Sequence, residues 1–376
     1  MLYLDTAATT PVDPRVAEVV LRHMTEEFGN AGSRTHEWGT RAKKTVQHSR
    51  ETIASSLGVQ TEEVIFTSGA TESNNIALLG LAEHGRSSGR MHIVSSATEH
   101  KAVLEPLEHL ASHGFEVEFL HPNETGRFET DEVLAKVRLD TLVVSLMYVN
   151  NETGVVQPIS ELAEALAQTK TLFHVDAAQG FGKLDDGALS APVDLISISG
   201  HKIAAPKGIG ALITRRRGWA RAPLTPLMFG GGQERKLRPG TVPVALVAGL
   251  AEAARIQVAE RQAWTKGVVE FRSALFAALE GFNYVVNGDL THSAPHILNL
   301  SFAGIDSEAL VLATQGVAGI ATGSACTSSS YTPSHVLTAM GLDHDRVVES
   351  VRLSWWSDSD PMQLNGFRDV IAGLQH

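Results

Sequence analysis

Cysteine is almost absent from this chain: among 376 residues the only thiol is Cys326. One thiol can form neither an intramolecular disulfide nor a cysteine-rich zinc site, so the chain suits a reducing compartment. Positive charge is also scarce. Lys and Arg number 31 against 42 Asp and Glu, for a net charge of −11, the wrong sign for gripping phosphate backbones over a broad face. Direct nucleic-acid binding is not expected. No apolar run reaches membrane-spanning length. The opening MLYLDTAATTP puts Asp5 and Pro11 where a secretory signal needs a basic start and an unbroken apolar stretch. A soluble, cytoplasmic protein without membrane attachment is the expectation. There is no internal repeat and no low-complexity tract. G-x-G-x-x-G after a strand and G-x-x-x-x-G-K-[ST] are both missing, and His36-Glu37 runs on into Trp38, Gly39 and Thr40 rather than H-E-x-x-H. Dinucleotide, P-loop and zincin chemistry therefore lack their signatures, and no metal is expected.

What the chain does have is an ordinary globular balance, 43% hydrophobic and 19% charged, with length enough for one large or two modest domains. From about residue 60 to 215, short β-rich runs alternate with helix-like runs. The strand candidates are VIFTS (64–68), HIVSSA (92–97), TLVVSLMYV (141–149), TLFHVD (171–176), DLISIS (194–199) and GIGALIT (208–214). Runs apolar on both faces suit buried parallel strands, and the alternation predicts a mostly parallel sheet. Helices are predicted over 72–84, 102–114 and 159–169, the last entered through Pro158, and the whole of 242–282 reads as helical. A domain boundary is placed near residue 255, with the N-terminal segment packing on the C-terminal part.

In open α/β sheets ligands gather at the carboxyl ends of the strands. The residues there are functional in type. Gly69, Ala70, Thr71 and Glu72 follow the first run at a helix entry, which is either an anion cradle or a plain cap and turn. His100 follows the second run and Asn150-Asn151-Glu152 the third. Asp176 ends TLFHVD, with Gln179 three residues on, and Ser199-Gly200-His201-Lys202 follow DLISIS. Singly, Lys202 reads as a solvated loop residue and Asp176 as a turn cap. Jointly, an amine, a carboxylate and an imidazole beside an anion cradle are the parts pyridoxal phosphate requires. Arg215-Arg216-Arg217, next to Gly218, reads as a solvated turn.

Cys326 lies in GIATGSACTSSSYTPSHVL (319–337). A free cysteine is commonly a buried filler. Small polar neighbours with no apolar period instead predict an exposed loop, which makes this thiol a candidate nucleophile.

With these residues on the page the chain resembles the cysteine desulfurases, in the aminotransferase class V branch of the fold-type I pyridoxal-phosphate enzymes. The resemblance rests on YLDTAATTP (3–11), GNAGSRTHEWG (29–39), VIFTSGATESNN (64–75), ATEHKAV (97–103), VNNETGVVQPI (149–159), HVDAAQ (174–179), SGHKIAAPKGIGAL (199–212), RPGTVPV (238–244) and GSACTSS (323–329). GSACTS points to the first group of the family. The implied fold is α/β, a fold-type I transferase. Residues 14–255 would form the large cofactor-binding domain around a mostly parallel sheet. Residues 1–13 with 256–376 would form a smaller α+β domain carrying the cysteine loop. By the same resemblance Lys202 would hold pyridoxal 5'-phosphate covalently and shuttle the substrate Cα proton, and His100 would stack on the ring and share in proton transfer. Asp176 would pair with the ring nitrogen and Gln179 with the phenolic oxygen. Ala70, Thr71, Ser199 and His201 would hold the phosphate, with Thr241 reaching in from the second subunit of a homodimer. Asn151 and Arg352 would hold the substrate carboxylate, for which the planar Arg fork is apt. The implied reaction converts L-cysteine to L-alanine and leaves a persulfide on Cys326 for delivery to an acceptor protein.

Three features depart from the family pattern. Ala31 follows Asn30 where proline is usual, which predicts a less rigid loop. Trp355-Trp356 replace smaller residues after the substrate arginine, where a changed pocket wall or partner surface is expected. The chain stops at His376, short of the tail with which housekeeping members engage an iron–sulfur scaffold. Iron–sulfur cluster assembly, tRNA thiolation and DNA phosphorothioation are thus all candidate destinations for the sulfur. Two other readings are kept. A pyridoxal-phosphate aminotransferase or selenocysteine lyase predicts keto acid, or turnover that does not need Cys326. A non-catalytic subunit of a sulfur-transfer assembly predicts a protein that stays colourless with the cofactor.

Overall fold

The computed structural model describes residues 1–185, 187–323 and 332–375. In chain order its strands are β1 (Leu2–Tyr3), β2 (Val64–Thr67), β3 (His92–Ser96), β4 (Glu116–Leu120), β5 (Thr141–Met147), β6 (Leu172–Asp176), β7 (Leu195–Ser199), β8 (Gly210–Thr214), β9 (Tyr284–Val286), β10 (Ile297–Phe302), β11 (Ala318–Gly319) and β12 (Ser350–Ser354). Strands β2 to β8 make one sheet in the order β2-β8-β7-β6-β5-β3-β4. It is mostly parallel, as the alternating pattern requires: β4, β3, β5, β6 and β7 run together, and only β8 opposes its neighbours β7 and β2.

The reason these runs are apolar throughout is visible in how they divide between two cores. Side chains alternate across a strand. In β2, Val64 and Phe66 join one buried cluster and Ile65 the other; in β8, Ala211 and Ile213 join the first and Leu212 the second. Both faces are covered, one by the helices Glu37–Leu57, Ile159–Ala167 and the first half of Val244–Ala278, the other by Ala70–Leu79 and Lys101–Ser112. The edge strand β4 was not among the predicted runs. Its sequence EVEFL carries Glu116 and Glu118, which the edge leaves exposed enough to pair with Arg138 and Lys136 at 2.7 and 2.6 Å, so the apolar signal is halved. The predicted helix over 72–84 is in fact two, Ala70–Leu79 and Ala82–Ser88, separated at Gly80, where an added Cβ would meet the Ile76 carbonyl oxygen at 2.3 Å.

The arginine run is not a solvated turn. Arg217 grips the buried Asp194 with two nitrogens, each at 2.6 Å, and Arg215 donates to the carbonyls of Leu189, Ser190 and Ala191. Both side chains turn back onto the protein, Arg215 onto the turn at 188–191 and Arg217 onto Asp194 and the carbonyls of Thr169 and Thr171, which no local sequence pattern signals.

A second cluster gathers on the antiparallel sheet β12-β10-β9 and on the later half of the helix Val244–Ala278. Within that helix Val244 to Ile256 belong to the sheet core, and Trp264, Val268, Phe271 and Leu275 to the second. Leu2 and Leu4 are buried in this second cluster, and β1 pairs with β11. Trp355 sits at its centre. It is wholly buried, its Nε1–H donates to the Val268 carbonyl at 2.9 Å, and its ring lies 5.5 Å from Phe271. It is thus core rather than pocket wall. Trp355→Phe is expected to destabilise the fold by about 1–3 kcal/mol, through one lost hydrogen bond and one small void, with no change in turnover. Thermal unfolding beside an activity assay checks both halves.

Candidate active site

The carboxyl ends of the parallel strands converge on a cavity of about 460 Å³. Ten of the twelve sequence-predicted site residues line it: Ala70 and Thr71 after β2, His100 after β3, Asn151 after β5, Asp176 and Gln179 at and after β6, Ser199, His201 and Lys202 at and after β7, and Arg352 from β12.

One wall is the start of the helix Ala70–Leu79. Its cap, Gly69, has φ +152 and offers no side chain to the first turn, so the free N–H groups there face the cavity beside Ser199. His201 stands nearby with Nδ1 3.2 Å from Thr9 Oγ1. Burial and the charges of Lys202 and Lys207 push its imidazole down to about 4, so it is neutral at pH 7.

At the floor, Asp176 is buried and doubly held: Oδ2 accepts from Asn74 Nδ2 at 2.7 Å and Oδ1 from the Ala178 N–H at 2.9 Å. His100, also on the cavity lining, caps the helix Lys101–Ser112 by accepting the Ala102 N–H on Nδ1 at 3.0 Å. That bond assigns the lone pair to Nδ1, and burial, with Lys202 and His335 adding to it, lowers the ring's proton affinity. His100 is a neutral imidazole presenting Nε2. Lys202 Nζ donates to the carbonyls of Ala7 and Ala8, the latter at 2.8 Å, so the N-terminal motif serves to aim this amine.

The opposite wall belongs to Arg352. Its guanidinium donates to Asp5 Oδ1 at 2.7 Å and to the Asn151 carbonyl at 3.2 Å, and is almost fully buried. Asn150 shapes this turn, its Oδ1 accepting the N–H groups of Glu152 and Thr153 at 2.9 Å. Glu152, which burial holds above the usual carboxylate range, accepts a 2.5 Å hydrogen bond from Ser334 Oγ. Gly323 fits against it only because it lacks a Cβ, which would lie 2.1 Å from Glu152 Oε2. Among the described residues no group of three or more His, Cys, Asp or Glu could hold a metal ion.

Comparison with known proteins agrees with this geometry. Residues 2–363 match the aminotransferase class-V family. The chain is 44% identical over 357 residues to cysteine desulfurase IscS of Vibrio cholerae serotype O1 (strain M66-2), spanning 94% of this chain and 87% of that one. It belongs to the cysteine desulfurases of that family. The solved structure of DndA from Streptomyces lividans is similar at 58% identity and a TM-score of 0.83, over 94% of this chain and 99% of that one. SspA, solved in complex with cysteine, is similar at 35% identity and a TM-score of 0.81, over 94% and 98%.

In this desulfurase one described site residue stands apart from the cavity, and one predicted site residue is not described. Thr241 is exposed and does not line the cavity of its own chain. Cys326 lies outside the described residues, but the positions where the described chain stops and resumes, Gly323 and Thr332, both line the cavity. Asn74, Asp5 and the carbonyls of Ala7 and Ala8 carry parts of the site that the strand-end reading did not assign. Asn74 and Asp5 do occur inside the quoted motifs VIFTSGATESNN and YLDTAATTP, which is the one signal that marked them.

Proposed function

We propose that this cavity binds pyridoxal 5'-phosphate and L-cysteine, that the sulfur passes to Cys326 as a persulfide with L-alanine released, and that a cytoplasmic acceptor protein then takes it. The supporting observation is that Lys202, Asp176 and His100 meet in one cavity whose lining includes both flanks of the Cys326 segment. The residues present fit the cofactor: an uncapped helix start for a phosphate, a buried carboxylate for a ring nitrogen, and an amine for the aldehyde. When bound, pyridoxal phosphate supplies an electron sink for the pair left at the substrate Cα.

Ala70, Thr71, Ser199 and neutral His201 would hold the phosphate, with Thr241 of the partner subunit completing it, and Gln179 would meet the phenolic oxygen. Asn151 and Arg352 would fix the substrate carboxylate, Asp5 having already set the guanidinium plane. Lys202 Nζ removes the Cα proton and His100 Nε2 shares in its transfer. The Cys326 thiolate attacks the substrate sulfur. A new S–S bond forms as the C–S bond breaks, its electron pair stays on the former substrate carbon, and that carbon is protonated to give alanine. Phe28 and Trp38, stacked 6.5 Å apart and largely exposed, with Phe229 89% exposed, offer the apolar surface a homodimer would cover. Iron–sulfur cluster assembly, tRNA thiolation and DNA phosphorothioation are the destinations to test for the sulfur.

The test is alanine formation from L-cysteine under reductant. Cys326→Ser is expected to retain under a hundredth of the parent rate while still binding the cofactor. An unchanged rate would show that Cys326 is not the sulfur acceptor, and keto acid in place of alanine would point to transamination. The carboxylate at the floor gives a second test. Asn74→Ala removes a 2.7 Å donor from buried Asp176 and is expected to weaken cofactor retention about tenfold, measured by dialysis against the visible band.

A further inference from the structure

Lys183 is a buried amine that the chemistry above leaves unused. Its side chain is 1% exposed and makes no ion pair among the described residues. Its Nζ lies 3.5 Å from Gln179 Oε1, 3.3 Å from His296 Nε2 and 5.7 Å from the centre of the Trp356 ring. Burial and the neighbouring Lys202 lower its pKa to about 7. His296 is buried too, and that burial together with Lys183 keeps its imidazole neutral, so Nε2 can accept from the amine. A lysine in such a place is costly, and an apolar side chain of equal length would fill the space without that cost. Stability is therefore not what the residue serves.

Its partner Gln179 lines the cofactor cavity. Two contacts orient that amide. The Ala7 carbonyl, which can only accept, is 2.8 Å from Nε2, and the Lys183 amine donates to Oε1 from the other side. We propose that Lys183 is a positioning residue: by holding Gln179 Oε1 it locks the amide with its N–H edge toward the phenolic oxygen of bound pyridoxal phosphate. This rests on the functional reading above. An N–H aimed at that oxygen favours its ionised form and lowers the pH at which the cofactor's visible band changes.

The test titrates that band in the full-length protein reconstituted with pyridoxal phosphate, for the parent, Lys183→Met, Gln179→Leu and the double variant. Lys202 and His296 face Lys183, and Asp176, His100 and His201 face the cavity; all are common to the four proteins. Lys183→Met is expected to raise the midpoint by about half to one pH unit, Gln179→Leu by at least as much, and the double variant by no more than Gln179→Leu alone. An unmoved midpoint in Lys183→Met, or shifts that sum in the double variant, would overturn the assignment, the latter because the charge would then act without Gln179. Circular dichroism checks the fold, and Lys183→Gln takes the place of the methionine variant should that one not fold. A parent that never develops the band sinks the functional reading and this inference with it, whereas a coloured parent with an indifferent Lys183→Met sinks only the inference.

Discussion

Lys202→Ala is expected to lower alanine formation from L-cysteine by on the order of ten-thousand-fold, the largest effect of any single substitution in this protein. Two functions are lost together. The amine that would hold the cofactor is gone, and so is the base that would move the Cα proton. The loss should not come from misfolding, because Lys202 is only partly buried and the Ala7 carbonyl that it meets keeps the Gln179 Nε2 donor at 2.8 Å. The variant should bind pyridoxal phosphate more weakly and respond to added small primary amines with partial recovery of rate. A variant that keeps a tenth of the parent activity would remove Lys202 from the mechanism.

Lys183→Met is expected to raise stability near pH 7 by roughly 3–5 kcal/mol. The sign follows from proton counting. The folded amine has its pKa pushed down to about 7, whereas an unfolded lysine titrates near about 10.4. Between those values the unfolded chain binds a proton that the folded chain does not, so the parent loses stability as pH falls from about 10.4 to about 7. Below the folded pKa both states are protonated and the penalty is fully present. The methionine variant has no such group, and its advantage should shrink to nothing above about pH 10.4. Denaturant unfolding at pH 7 and pH 10.5 measures the difference. An equal gain at both pH values would show that packing rather than charge separates the two proteins. The stabilised variant is also the one expected to hold its cofactor in a poorer electronic state, an exchange of stability for function.

Much of the candidate site was legible in the order of residues because parallel strands bring their carboxyl ends together. Ala70, His100, Asn151, Asp176 and Lys202 are far apart in the chain, yet each follows a run of buried β residues, and that position alone gathers them. The residues that support them were not legible in the same way. Asn74 meets Asp176 across 102 positions, Asp5 meets Arg352 across 347, and Lys183 meets His296 across 113. Such pairs have no period and no local spacing to give them away.

By itself, then, the amino-acid order determined the mostly parallel sheet, through runs apolar on both faces, and named the candidate amine, imidazole, carboxylate and thiol. Only the tertiary structure decided how those groups are aimed. It turned Arg215 and Arg217 inward onto backbone carbonyls and Asp194, placed Trp355 in a core instead of a pocket wall, and set a buried lysine behind Gln179. The physical reason is that side-chain orientation, burial and proton affinity depend on what the rest of the chain brings within a few ångströms, and long-range packing alone supplies that.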